Sequence, residues 1–141
     1  MLTPDQLPKA RLIYYTGCAS IVLGCKKETI KDIFPHSDYY IIHFCDRKND
    51  TQEISIKIKL EDTSLVCYFD EKGLCNACYL YFDHVNDIFT YTEICSTLFT
   101  YHSATKLWTM RSAYIRFREE DENKYLIFLP YNTPENENPI Q

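Results

Sequence analysis

Cys75-Asn76-Ala77-Cys78 is the only Cys-x-x-Cys motif in the chain. In thiol redox enzymes such a pair lies at the N-terminus of a helix, whose dipole lowers the pKa of the first thiol. Here the pair follows Gly73 and runs into Tyr-Leu-Tyr-Phe, which predicts a strand. Because strand side chains alternate between two faces, we predict that Cys75 and Cys78 point apart. That geometry excludes a local disulfide or a shared metal unless a β-bulge intervenes, so we expect structural thiols.

A zinc site is the second chemistry to weigh. Such a site needs four converging ligands, usually supplied as two close pairs. The chain has one close cysteine pair, and its histidines show no His-x₃₋₅-His spacing: His36, His43, His84 and His102. Cys67 lies before Gly73, on the other strand of a predicted hairpin, and could join Cys75 or Cys78 across it. A small-molecule or metal-binding domain built on these three thiols is therefore the alternative interpretation, while the preferred one has no metal and no cofactor.

Motifs typical of enzymes are missing from the sequence. It contains no Gly-x-Ser-x-Gly, no His-Glu-x-x-His and no glycine-rich phosphate loop. Carboxylates cluster at Asp70-Glu71 and at Glu119-Glu120-Asp121-Glu122, but both clusters fall in predicted turns, where solvated charge is ordinary. We therefore predict a protein without catalytic activity.

A tyrosine-rich surface is the strongest candidate for recognition. Tyr79 and Tyr81 share one face of their predicted strand, and Tyr68 lies on the strand before the turn. Tyrosine is enriched at interfaces because it combines apolar area with a polar tip. We assign the candidate surface to these tyrosines together with the acidic turn Glu119, Glu120, Asp121 and Glu122. The alternative is that the tyrosines line the edge of an ordinary core.

Composition and charge limit the partner. The chain has 141 residues, enough for one domain with a core, and it is rich in aromatic residues, with 12 Tyr and 8 Phe. Its formal net charge is −5, which opposes binding to the phosphate backbone of nucleic acids. A protein partner is easier to accommodate. Both faces of the predicted hairpin are apolar, which also allows a second copy of the chain to cover one of them.

Cysteine usage indicates the compartment. Seven cysteines cannot all pair within one chain, and most lie in apolar runs, so we predict reduced core thiols in the cytoplasm. No apolar run is long enough for a transmembrane helix, and the first residues lack a signal-peptide layout. A secreted or lipid-anchored protein is the alternative if a leader has been removed.

The hydrophobic pattern predicts an α+β domain. Asp70-Glu71-Lys72-Gly73 between two aromatic runs is a hairpin signature, and Ile54, Ile56, Ile58 and Leu60 alternate with polar residues as in a half-buried strand. We predict an irregular lead-in over residues 1–18, in which one short helix around Pro8 to Tyr15 is an option, a single domain over 19–132 and a mobile tail over 133–141. The domain would be an antiparallel sheet of six to seven strands with two main helices on one face, and two helix-plus-strands units in tandem are one way to build it. The two helices are expected near residues 26–34 and 83–101.

One stretch resembles a known family. Gly24-Cys25-Lys26-Lys27-Glu28-Thr29-Ile30-Lys31-Asp32-Ile33-Phe34-Pro35 is similar to the Gly-x-Thr/Ser-Lys-x-x-Val-x-x-Leu helix of SmpA/OmlA-like and BLIP-like modules. Phe69-Asp70-Glu71-Lys72-Gly73 resembles the Phe-Asp-x-x-Gly that ends a strand pair there, so the likeness covers about residues 20–82. It implies a small α+β binding or assembly unit without catalysis, often a secreted lipoprotein. This chain departs from that pattern in its seven cysteines and in lacking an evident leader.

Together these features favour a non-enzymatic protein-binding or inhibitory module of the immunity-protein kind. It would use an acidic, tyrosine-rich surface.

Overall fold

The computed structural model describes residues 6–45, 50–84, 86–120 and 122–131, and for 39–45 and 50–54 it describes the backbone alone. Within these residues, three helices and eight strands follow one another: α1 Leu7–Val22, α2 Lys27–Ile33, β1 Asp38–Cys45, β2 Asp50–Lys59, β3 Thr63–Phe69, β4 Cys75–Phe82, α3 Asp87–Leu98, β5 Thr100–His102, β6 Leu107–Thr109, β7 Ala113–Glu120 and β8 Asn123–Pro130. The predicted α+β class is confirmed. None of the described helices is long and apolar enough to cross a membrane.

All eight strands belong to one antiparallel sheet, in the order β1-β2-β3-β4-β8-β7-β6-β5. The sequence predicted six to seven strands, and the additional one is β5. The sequence predicts a helix that runs to about Tyr101, but α3 stops at Leu98, and Thr100 to His102 pair with β6. A strand of three residues is too short to show a periodic pattern in the sequence. These residues form a strand because a partner strand satisfies their backbone hydrogen-bonding groups.

The chain is organised as two successive sets of helix and strands. The first set is α1, α2 and the meander β1 to β4, and the second is α3 and the meander β5 to β8. The two meanders meet where β4 pairs with β8, in a register that sets Leu80 opposite Leu126 and Cys78 opposite Phe128. This order matches the predicted tandem of helix-plus-strands units.

One apolar cluster joins the helices to one face of the sheet. The helices contribute their buried apolar side chains to it: Leu12, Tyr15, Cys18, Ala19, Val22, Ile30, Ile88, Tyr91 and Cys95. The strands contribute alternate residues that stand opposite one another in the pairing register: Ile56, Ile58, Leu65, Cys67, Cys78, Leu80, Ile115, Leu126 and Phe128. We call this side of the sheet the core face.

Residues 7–18 are helical throughout, whereas we predicted an irregular lead-in with at most one short helix around residues 8–15. Helix α1 begins at Leu7, with Pro8 in its first turn, where the missing N–H of proline costs no hydrogen bond. Leu12, Tyr15 and Ala19 recur every three to four residues and are buried in the core cluster. The helical periodicity of α1 is hard to see in the sequence because apolar residues also lie on its exposed side: Ile13, Tyr14 and Ile21. The predicted tail over 133–141 lies outside the described residues.

The predicted hairpin turn is present, and the side chain of Asp70 stabilises it. Gly73 has a φ of +80°, a conformation that glycine adopts without strain. The backbone N–H groups of Lys72 and Leu74 donate to Asp70 Oδ1 over 2.9 and 3.0 Å, and Gly73 N–H donates to the Asp70 carbonyl over 3.0 Å. Asp70 therefore caps the turn, which accounts for a carboxylate at this position.

Replacing Asp70 by alanine should lower the free energy of unfolding by about 1–2 kcal/mol, because two turn N–H groups lose their acceptor. Chemical denaturation of the variant would measure this change. Glu71→Ala is the matched control, since Glu71 is the neighbouring carboxylate and is exposed. Equal losses in the two variants would contradict a specific role for Asp70.

Candidate functional site

Four tyrosines lie together on the face of the sheet opposite the core face. Tyr79 and Tyr81 alternate along β4 with the core residues Cys78, Leu80 and Phe82, as the sequence predicted. Tyr125 on β8 stands directly opposite Tyr81, and Tyr68 lies on the neighbouring strand β3. We call Tyr68, Tyr79, Tyr81 and Tyr125 the tyrosine face.

The rings of the tyrosine face contact one another in a continuous row. Their centroids are 4.8 Å apart for Tyr68 and Tyr79, 5.2 Å for Tyr79 and Tyr125, and 5.0 Å for Tyr81 and Tyr125. Tyr79 and Tyr125 are stacked, with 16° between their ring planes. These distances are those of favourable aromatic pairs, so the rings hold one another in place. The result is a preorganised aromatic surface on regular strands.

The tyrosine face is partly exposed. Tyr125 is 3 % exposed, whereas Tyr68, Tyr79 and Tyr81 each keep an intermediate exposure. The buried apolar side chains of the described helices all belong to the cluster on the opposite face. Burial raises the pKa of Tyr81, with neighbouring Tyr68 adding to the effect, and burial also raises the pKa of Tyr125. Both phenols are therefore neutral hydrogen-bonding groups at physiological pH.

Part of the acidic turn adjoins this face. Tyr125 donates a hydrogen bond from its hydroxyl to Glu120 Oε2 over 3.1 Å, which fixes Glu120 at the edge of the tyrosine face. Glu119 instead pairs with Lys124 Nζ at 3.6 Å, and Glu122 is exposed. Asp121 lies outside the described residues. Of the predicted acidic set, Glu120 is thus the residue in direct contact with the tyrosines.

Sequence reasoning did not include Tyr125 in the candidate surface. Its alternation with Leu126 and Phe128 was visible, but which face it shares with Tyr79 depends on the pairing of β4 with β8. These strands are more than forty residues apart in the chain. A register between distant strands leaves no local signal.

The cysteines overturn one geometric prediction. Cys75 and Cys78 do not point to opposite faces, because a register shift interrupts the pairing of β3 with β4. Tyr68 faces Ala77 and Phe69 faces Cys75, so Asn76 is the extra residue of a β-bulge. Both cysteines therefore lie in the core cluster, together with Cys67, which pairs directly with Cys78.

Cys67, Cys75 and Cys78 bring their sulfur atoms together. We call them the cysteine trio. The three Sγ atoms lie within 4.8 Å of one another, and those of Cys75 and Cys78 are 3.7 Å apart. All three residues are buried, with exposures of 1 % or less. The neighbouring thiols of Cys67 and Cys78 lower the pKa of Cys75, whereas burial raises the pKa of Cys78. The trio is thus a set of soft ligand atoms in an apolar site.

A cleft between α1, α2 and β2 was not anticipated from the sequence. Its volume is about 590 Å³, within the range of small-molecule pockets. Apolar side chains form much of its lining, among them Tyr14, Tyr15, Ile33, Phe34, Ile58 and Leu60. Arg11 at its edge is already paired with Asp62 at 3.1 Å and Glu61 at 3.5 Å. The cleft could accommodate an apolar group. The charged side chain of Arg11 is already paired, so the cleft does not indicate which ligand it would select.

No family model, no curated protein and no solved structure matches this chain. The resemblance to SmpA/OmlA-like and BLIP-like modules stays a prediction.

Proposed function

We propose that this protein is a non-enzymatic binding module that engages a protein partner through its tyrosine face. The observation that carries the proposal is the row of four contacting tyrosines on the side of the sheet away from the core cluster. Large, rigid aromatic side chains lose little conformational entropy on binding, and they dominate the energetics of interfaces. An inhibitory, immunity-type role is the form of this function that we favour.

We propose a partner of net positive charge rather than a second copy of the chain. The chain carries a net charge of −5, so two copies repel each other, whereas a basic protein is attracted. Glu120 at the edge of the face and exposed Glu122 beyond it supply local negative charge. Basic side chains also stand on this face in the pairing register, so the partner should present acidic groups to them as well as basic groups to Glu120: Lys57, Lys59, Arg116 and Arg118.

The function can be tested with the double variant Tyr79→Ala/Tyr81→Ala. A partner is first captured with the wild-type chain from its own host and then produced in pure form, so that its affinity can be measured. The variant should bind it at least about tenfold more weakly, because each truncation removes aromatic area from the centre of the contact. Raising the salt concentration should slow association with the wild-type chain.

Tyr14→Ala serves as the matched control. Tyr14 is 56 % exposed and lies on α1, away from the tyrosine face. We expect the control to retain wild-type affinity and the double variant to retain its circular dichroism spectrum. A folded double variant that binds the partner as tightly as the wild type would refute the proposal. Dimerisation that depends on Tyr79 and Tyr81, measured by light scattering, would assign the face to a second copy instead.

We place this function in the cytoplasm. The described cysteines Cys18, Cys25, Cys67, Cys75, Cys78 and Cys95 are free thiols. A reducing compartment maintains thiols in that state, which supports the placement.

A further inference from the structure

The cysteine trio has the spacing of a thiolate metal site. In a tetrahedral zinc site with Zn–S bonds of about 2.3 Å, neighbouring sulfur atoms are roughly 3.8 Å apart. The Sγ atoms of Cys75 and Cys78 are already 3.7 Å apart, and the whole trio lies within 4.8 Å. A common metal ion therefore requires sub-ångström to ångström adjustments of side chains, and no rearrangement of strands.

The bulge is what creates this geometry. Without the extra residue at Asn76, strand alternation would send Cys75 to the tyrosine face, away from Cys78. Bulges commonly redirect a side chain at a functional position and interrupt pairing at a local cost. Free cysteines also pack in cores as small apolar side chains, so the observation that favours a metal is the convergence of three sulfur atoms at one point.

A fourth cysteine, Cys25, is joined to the trio through its backbone. The backbone of Cys75 forms two hydrogen bonds of 2.8 Å to the loop after α1, donating from its N–H to the Cys25 carbonyl and accepting from Gly24 N–H. Cys25 is half-buried, packs against the core cluster and directs its thiol to the Ile21 carbonyl at 3.2 Å. To serve as a fourth ligand, the Cys25 side chain would have to exchange that weak hydrogen bond for a metal bond.

Local positive charge suits a thiolate centre. Lys26 follows Cys25, and its backbone forms an isolated antiparallel β-bridge with Leu74, the residue before Cys75. A zinc ion bound by four thiolates carries two net negative charges, so a lysine at this position offsets part of the charge.

We propose that Cys67, Cys75, Cys78 and Cys25 form a structural zinc site that ties β3, β4 and the loop after α1 together. Zinc is the metal best suited to four thiolates in a closed site, because it needs no open coordination position and takes no part in redox chemistry. Binding replaces the protons of four thiols by one Zn²⁺ ion and releases those protons, with no change of oxidation state.

The test uses the full chain, expressed with zinc supplied and purified under mild reduction without chelators. Native mass spectrometry and elemental analysis should find one zinc per chain. Cobalt added in place of zinc should give the strong thiolate-to-cobalt charge-transfer absorption and the visible bands of a tetrahedral site, saturating at one equivalent. This spectroscopic measurement needs only the wild-type protein, so it remains decisive if a variant fails to fold.

Three serine variants assign the ligands. Cys78→Ser should lose zinc, and Cys25→Ser should bind it at least tenfold more weakly because one of four bonds is lost. Cys95→Ser is the matched control: Cys95 is 0 % exposed and lies on α3, outside the trio, so this variant should retain one zinc.

A folded, reduced wild-type chain that takes up neither zinc nor cobalt would overturn the proposal. A disulfide within the trio in protein kept under mild reduction would overturn it as well, in favour of a redox role. Unchanged zinc affinity in Cys25→Ser would refute the fourth ligand. None of these results bears on partner binding by Tyr79 and Tyr81, so the zinc site and the proposed function stand or fall separately.

Discussion

The Leu126→Ala variant is expected to lose about 2–5 kcal/mol of unfolding free energy, the range observed for truncating a fully buried leucine. Leu126 is 0 % exposed on β8, between Leu80 of β4 and Phe117 of β7. It lies at the junction of the two meanders, so the cavity would open where the two halves of the sheet join. Denaturant titration of both proteins would measure the loss.

The same experiment tests whether the two halves unfold together. Trp108 is the only tryptophan of the chain and belongs to the second half, on β6. Since one apolar cluster spans both halves, its fluorescence and the circular dichroism of the whole chain should change at the same denaturant concentration.

Leu126→Met is the control, because a side chain of similar volume should cost less than about 1.5 kcal/mol. Two separate transitions in the wild-type protein would contradict a shared core. A loss below about 1 kcal/mol in Leu126→Ala would contradict the central position of this leucine.

The second large effect concerns Tyr15 and depends on pH. Tyr15 is 1 % exposed and donates its hydroxyl hydrogen to Asp62 Oδ1, while Arg11 donates to Asp62 Oδ2 over 3.1 Å. Replacing Tyr15 by phenylalanine removes a hydrogen bond to a charged acceptor. We expect the variant to lose about 1.5–3 kcal/mol of unfolding free energy near neutral pH.

The sign of the pH dependence follows from linkage. Burial, and next the hydrogen bond to Asp62, raise the pKa of Tyr15 above its ordinary value near 10. Its stabilising contribution is therefore complete below about pH 10 and is lost as the pH rises toward the folded-state pKa. The difference in unfolding free energy between wild type and Tyr15→Phe should stay constant from about pH 7 to 9. At higher pH it should shrink by up to roughly 1.4 kcal/mol per pH unit.

Tyr101→Phe is the control for this series, because Tyr101 lies on β5 and is 45 % exposed. Because it is exposed, removing its hydroxyl should change the free energy of unfolding little near neutral pH. Denaturation of the three proteins across the alkaline range makes the comparison, and the ionisation of other tyrosines and cysteines cancels in the differences. If the difference in unfolding free energy between wild type and Tyr15→Phe stays the same above about pH 11, then Tyr15 ionises as readily in the folded as in the unfolded protein.

Features that depend on neighbours in the chain were determined by the sequence itself. The turn over Asp70 to Gly73 was readable because a capping carboxylate and a glycine at positive φ act within four residues. The common face of Tyr79 and Tyr81 was also predictable, since every strand alternates with a period of two. The same periodicity assigned Ile56 and Ile58 to a buried face, and both are in the core cluster.

Features that depend on pairing between distant segments were decided by the tertiary structure alone. Tyr125 joins Tyr79 and Tyr81 because β8 pairs with β4 in one particular register, and Cys75 turns toward Cys67 because β3 imposes a bulge on β4. Helix α1 and strand β5 likewise owe their extent to the core cluster and to β6, respectively. The physical reason is that dihedral preferences and periodicity are local, whereas register and bulges minimise the energy of two strands at once. Residue types alone therefore gave the candidate thiols and tyrosines, and long-range pairing gave their convergence.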